Sequence, residues 1–191
     1  EDFLKQYNQD NVVFCVANNS IFEMTLNLYK SALRNNINLI VFALDQNIVD
    51  NFSKESCPDY NIVKYFDQNS SIKSEQFYEY GKESFKNVLW QRFLIGNRIL
   101  KTGKTYIYLD TDIVIIRNFI QDTLDSLKTK NIDCVIQFNG RDCCTGYFAM
   151  KPTNNTLNFN LQLLERLNYQ KYTTNQPFFN GVLVKKRLLN R

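Results

Sequence analysis

The sequence predicts an α/β domain whose mainly parallel central sheet is flanked by helices. Three observations predict it. Two continuous apolar runs, 11–17 and 38–44, have the length and composition of strands covered on both faces. Segments with apolar residues at helical spacing separate the strand-like runs in a β-α-β order, which folds into a parallel sheet between helices. The chain has 191 residues, 44% of them hydrophobic and 22% charged, enough for one sizeable core and short for two.

The first strand is NVVFCVA, 11–17. Ser20 can cap the helix that follows, which Ile21, Met24, Leu28 and Leu33 carry to about residue 35. NLIVFAL, 38–44, is the second strand and runs into Asp45. A shorter third strand is expected at 61–66. Residues 67–82 are polar and poor in core formers, as in a loop able to close over a ligand. A long helix follows at 83–101, with Phe85, Val88, Leu89, Phe93 and Leu100 on its apolar stripe and Gly103 to end it. TYIYLDTDIVII, 105–116, reads as a strand, a break and a second short strand. A helix at 119–130 and strands at 132–138 and 145–151 come next. Leu157, Leu161, Leu164 and Leu167 mark a last helix at 156–168. Ligands of such sheets gather at the carboxyl ends of the strands. That places Ala17, Asn18, Asp45 and Asp110 on one rim.

Composition narrows the partners. The net charge of +4 suits a small anionic ligand, and no run of about five basic residues asks for nucleic acid. No apolar stretch approaches the roughly 18 residues of a membrane span, so no membrane segment is expected within the chain. The chain opens on Glu1, as a processed or excised piece would, with any signal or anchor outside it. Two compartments remain open: the Golgi or ER lumen, as part of a membrane-anchored protein, and the cytoplasm. The five cysteines, at 15, 57, 134, 143 and 144, form no CxxC pair, and there is no histidine, so a zinc site is not expected. They read as small buried apolar residues, with one disulfide as the alternative.

The sharpest feature is Asp110-Thr111-Asp112. A strand of Tyr106, Ile107, Tyr108 and Leu109 should be buried, yet it stops on two carboxylates one residue apart. Left unpaired, they would be costly to bury and would repel each other. A hard divalent cation, Mn2+ or Mg2+, removes both problems and can also neutralise a departing diphosphate. An exposed acidic turn is the bland alternative. D-T-D-I-V also fits the DxDx(T/V) nucleophile motif of haloacid-dehalogenase-like phosphatases. That reading lacks a late acidic pair and an N-terminal position for the strand.

Four blocks in order give the chain a specific resemblance. Residues 12–45, 88–118, CCTGYFAMKPT at 143–153 and NQPFFN at 175–180 resemble the nucleotide-diphospho-sugar transferases grouped as glycosyltransferase family 77, of GT-A fold with a DxD motif. The resemblance implies a single GT-A domain over 1–191, with a nucleotide-binding half at about 11–118 and an acceptor and donor-sugar half at about 119–191. It implies an enzyme, a hexosyl- or pentosyltransferase, that moves sugar from a nucleoside diphosphate sugar to a hydroxyl with retention. A UDP-sugar is the expected donor, and a glycan, protein or small molecule the acceptor.

The same resemblance implies the site. Asp110 and Asp112 would hold the metal, and Arg92 would set positive charge against the donor phosphates. Ala17, Asn18 and Asp45 would line the nucleoside pocket, with Thr111 and Gly146 beside the ligand. Gln176 and Asn180 would hold sugar hydroxyls. Asn175 stands where the family pattern has an acid, and no late histidine is available as a third metal ligand. Both departures favour a second reading, a catalytically degenerate module that binds a nucleotide sugar or glycan.

Overall fold

The computed structural model describes residues 2–55, 61–65, 83–138, 140, 142–169 and 179–180; of residues 2, 83–89 and 166–169 it describes the backbone. Six strands form one sheet: β1 (Asn11–Ala17), β2 (Leu39–Ala43), β3 (Ile62–Lys64), β4 (Thr105–Leu109), β5 (Cys134–Phe138) and β6 (Cys143–Met150). Their order is β3-β2-β1-β4-β6-β5. β1, β2, β3 and β4 pair in parallel, while β6 runs antiparallel to both β4 and β5. A short link between β5 and β6 leaves no room for a crossover, so the two must form a hairpin. The expected mainly parallel α/β architecture is what the chain adopts.

Side chains alternate across the sheet and divide the core into two layers. One layer holds Phe14, Phe42, Tyr106, Tyr108 and Phe148 against α4 (Glu83–Lys101), α6 (Asn154–Tyr169) and Leu4 of a short α1 (Asp2–Gln6). The other holds Val13, Cys15, Val41, Ile107 and Leu109 against α2 (Phe22–Arg34), α3 (Gln46–Lys54) and α5 (Ile120–Thr129). Both α1 and α3 lie outside the elements expected from the sequence.

Several local expectations change. Ser20 lies in a 3-10 turn, Asn19–Ile21, and its hydroxyl donates to Asn18 Oδ1 at 2.9 Å, so it does not cap α2. Met24 is 49% exposed, because the buried face of α2 is Leu28, Tyr29 and Ala32. The second short strand after Asp112 does not form. The backbone of Ile115 bonds instead to side chains of α2: its N–H donates to Ser31 Oγ at 3.0 Å, and its carbonyl accepts from Asn35 Nδ2 at 2.9 Å. In α6 the buried residues are Thr156, Phe159, Asn160, Leu163 and the expected Leu164, while Leu161 is exposed. Gly103 does end α4, with φ +79° and its N–H on the Leu100 carbonyl at 3.0 Å. The four described cysteines, 15, 134, 143 and 144, are free thiols. The 67–82 loop and Cys57 lie outside the described residues.

Candidate active site on the carboxyl rim

β4 carries the chemistry to the rim. Tyr106 and Tyr108 face the α4 layer, and the two-residue period continues that row to Asp110. Strand pairing aligns Phe14 with Tyr108 and Ala17 with Ala43, so the ends of β1, β2 and β4 fall level. Ala17, Asn18, Asp45 and Asp110 therefore share the rim expected of them.

Asp110 is fixed from three sides. Its N–H donates to the Gly146 carbonyl at 2.8 Å, an extension of the β4–β6 ladder. Its Oδ1 accepts from the Tyr108 hydroxyl at 2.6 Å and from Arg92 Nη1 at 3.2 Å. Oδ2 carries no hydrogen bond among the described residues. A Cβ placed on Gly146 would sit 3.2 Å from that oxygen, so the glycine keeps space open beside it. Burial raises the Asp110 carboxyl above the usual carboxylate range; Arg92 and Tyr108 pull it down, and Asp112 pushes it up. Asp112 stands exposed in the following turn.

Arg92 lies beneath Asp110, 1% exposed. Its Nη1 also donates to the Thr145 carbonyl at 3.2 Å, while Nε and Nη2 are buried without a partner among the described residues. The guanidinium carbon stands 5.0 Å from the Phe93 ring centre and 5.1 Å from that of Tyr108. Two aromatic faces and one carboxylate thus offset the burial of its charge. Arg92 meets the rim through Asp110. Gly96, one helical turn further along α4, lets the helix close on β4: a Cβ there would be 2.9 Å from Tyr106 Cζ.

The remaining expected residues divide. Asp45 is the N-cap of α3, its Oδ1 accepting from the Ile48 N–H at 2.9 Å, and its Oδ2 accepts from the Asn19 N–H at 2.8 Å. It ties the β1 and β2 ends together at the rim. The Ala17 carbonyl accepts from the Leu44 N–H at 2.8 Å, and Asn18 is 2% exposed. Thr111 is half-buried in the turn after β4. Asn180 applies its amide to the backbone of Cys143, accepting from the N–H at 3.0 Å and donating to the carbonyl at 3.1 Å. Asn175 and Gln176 lie outside the described residues. Tyr108, Gly96 and Thr145 were not among the expected site residues. Tyr108 could have been found from its place two before Asp110, and Gly96 from its place four after Arg92.

The carboxylate pair, the open oxygen and the glycine beside it stand at the strand ends, where ligands of such sheets gather. The chain belongs to the nucleotide-diphospho-sugar transferase family, whose model matches residues 35–188. A curated relative is the UDP-galactose:fucoside alpha-3-galactosyltransferase of Dictyostelium discoideum, 30% identical over 98 residues. That match covers 48% of this chain and 15% of the relative, so the chain spans far less than the relative's full length. Among solved structures, a glycosyltransferase involved in the glycosylation of the major capsid of PBCV-1 aligns over 96% of this chain and 80% of its own. The TM-score is 0.50 and the identity 10%, a likeness of fold. The family makes this a nucleotide-diphospho-sugar transferase domain.

Proposed function

We propose that the chain transfers a sugar from a uridine diphosphate sugar to an acceptor hydroxyl, with a divalent cation at Asp110 and Asp112 and with retention of configuration. The observation that carries this is the state of Asp110: one oxygen is held by Arg92 and Tyr108, and the other faces the space that Gly146 leaves. The donor set fits Mn2+ or Mg2+. These ions take hard oxygens and commonly use one or two carboxylates, completing their shell with phosphates and water. Among the described residues no group of three His, Cys, Asp or Glu side chains gathers. When bound, the cation supplies Lewis-acid stabilisation of the leaving diphosphate.

The chain's own residues do the rest. Arg92 and Tyr108 hold the Asp110 carboxylate in one orientation. Asp112 stands in the exposed turn two residues on. Ala17 and Asn18 lie level with them on the rim, in position for the nucleoside. No described residue at the site is a convincing nucleophile, which favours attack from the leaving-group face with the departing phosphate taking the acceptor's proton. The galactose donor and fucoside acceptor in the name of the Dictyostelium relative make UDP-galactose and a fucoside the first pair to assay.

The test is release of UDP from UDP-galactose and other UDP-sugars, with and without Mn2+ and acceptor. Mn2+-dependent release that Asp112→Ala abolishes is expected. Metal-dependent binding of donor without any release would mark the degenerate binding module that Asn175 favours. No binding of any nucleotide sugar would overturn both readings.

A further inference from the structure

A cleft of about 310 Å³ opens on the α4 side of the sheet, between α1, the outer strands β2 and β3, and the last turns of α4. Lys5, Arg98 and Lys101 line it around Phe42 and Tyr65, and no Asp or Glu is among the described residues that line it. None of the three cations makes an ion pair or a side-chain hydrogen bond among the described residues. The Arg98 guanidinium carbon stands 5.0 Å from the Tyr65 ring centre, so cation and aromatic surface meet inside the cleft. Arg98 lies six residues past Arg92, about 9 Å along the helix axis, and meets β3 where Arg92 meets β4. The cleft is therefore separate from the Asp110 rim.

Cations in the last turn of a helix are favoured by its dipole, and that accounts for Arg98 and Lys101. It does not account for Lys5 on α1, nor for three positive charges unpaired among the described residues around one concavity. Like charges at such spacing repel each other, and an anion between them removes that cost. The aromatic and aliphatic floor asks that the anion carry an apolar body.

We propose that this cleft is a second ligand site, for a small molecule that joins a phosphate or sulfate group to an aromatic or aliphatic body. Lys5, Arg98 and Lys101 hold the anionic group, and the Phe42–Tyr65 floor holds the body. Phenyl phosphate is the probe, with inorganic phosphate and phenol as its two halves, titrated against the 191-residue chain and followed by amide NMR shifts. Saturable shifts at 63–65 and 98–102 are expected, with phenyl phosphate binding at least tenfold tighter than either half. Arg98→Glu with Lys101→Glu weakens it at least tenfold at unchanged melting temperature, and Lys5→Glu alone weakens it too should that double variant fail to fold. Asp112→Asn leaves it unchanged, which separates the cleft from the rim whether or not the rim binds a nucleotide sugar. Shifts confined to 110–112, or affinity no better than that of inorganic phosphate, overturn the proposal. So does binding only to phosphatidylglycerol vesicles that phenyl phosphate does not displace.

Discussion

Arg92 Nη1 and Asp110 Oδ1 stand 3.2 Å apart, yet their side chains are 2% and 36% exposed. The pair is buried at one end and open at the other. Removing one partner of such a pair is not equivalent to removing the other. Asp110→Ala strands a guanidinium with no solvent and no counter-charge, whereas Arg92→Met leaves a carboxylate that water still reaches. An uncompensated buried charge costs on the order of 3 kcal/mol. Urea unfolding is expected to show Asp110→Ala as the more destabilising change, with the double variant recovering part of the loss. Equal losses would mean that Arg92 is not held mainly by Asp110.

Tyr108 is a positioning residue for Asp110. Burial pushes its phenol well above the ordinary value, so it remains a hydrogen-bond donor across the neutral range. Tyr108→Phe removes the 2.6 Å bond to Oδ1 and leaves the ring in place. A bond to a charged acceptor contributes about 1.5–3 kcal/mol at most, and the partial exposure of Asp110 moves the expectation to the low end. Melting temperature should fall by a few degrees, and Mn2+ affinity, read by calorimetry in the presence of UDP, should weaken about tenfold. Unchanged Mn2+ affinity would leave the hydroxyl a purely structural role.

The raised Asp110 carboxyl sets a pH dependence. An acid whose folded value lies above its unfolded value binds more protons when folded, between the two. The stability it contributes is complete below the unfolded value and is lost as pH rises through the folded one. The metal-free chain should therefore lose melting temperature as pH climbs from the ordinary carboxylate range toward neutrality. Proton and cation compete for the same carboxylate, so saturating Mn2+ with UDP should cancel that loss. The measurement is melting temperature against pH with and without Mn2+ and UDP, compared with Asp110→Asn, in which the trend should vanish.

Much of this arrangement was legible in the sequence, for a physical reason. Apolar runs such as NVVFCVA fix buried strands, and the two-residue period then fixes which face Tyr106, Tyr108 and Asp110 share. What one sequence does not state is distance. Nothing in the spacing says that Asn180 would turn its amide onto Cys143, or that Asp45 would also bind Asn19. Val114 and Ile116, 61% and 91% exposed, resemble a strand in composition. They lack a partner because Ser31 and Asn35 satisfy the backbone of Ile115 first. The cationic cleft joins Lys5 and Arg98, too far apart in sequence for any pattern to connect them.

Gly146 offers a test of the open oxygen itself. A Cβ at this position would lie 3.2 Å from Asp110 Oδ2 and 3.6 Å from Cys144 Sγ, inside the space assigned to the cation. The strand around it is otherwise well packed, and the Gly146 carbonyl already holds the Asp110 N–H. Gly146→Ala should therefore fold, moving the carboxylate by a few tenths of an ångström. Small misplacements at a reacting centre cost far more in rate than in stability. Turnover should fall on the order of tenfold or more, with a melting temperature near that of the unaltered chain. Gly96→Ala provides the contrast. Its Cβ would meet Tyr106 Cζ at 2.9 Å, and Tyr106 is locked by contacts of its hydroxyl with Met150 Sδ at 3.1 Å and Asn160 Nδ2 at 3.4 Å. Overpacking of this kind costs about 1–3 kcal/mol, of which the better helix propensity of alanine returns up to about 1 kcal/mol. Gly96→Ala should therefore destabilise the chain, and Gly146→Ala should disable the rim while sparing the fold. If Gly146→Ala kept full turnover, the space beside Oδ2 would not be where the cation binds.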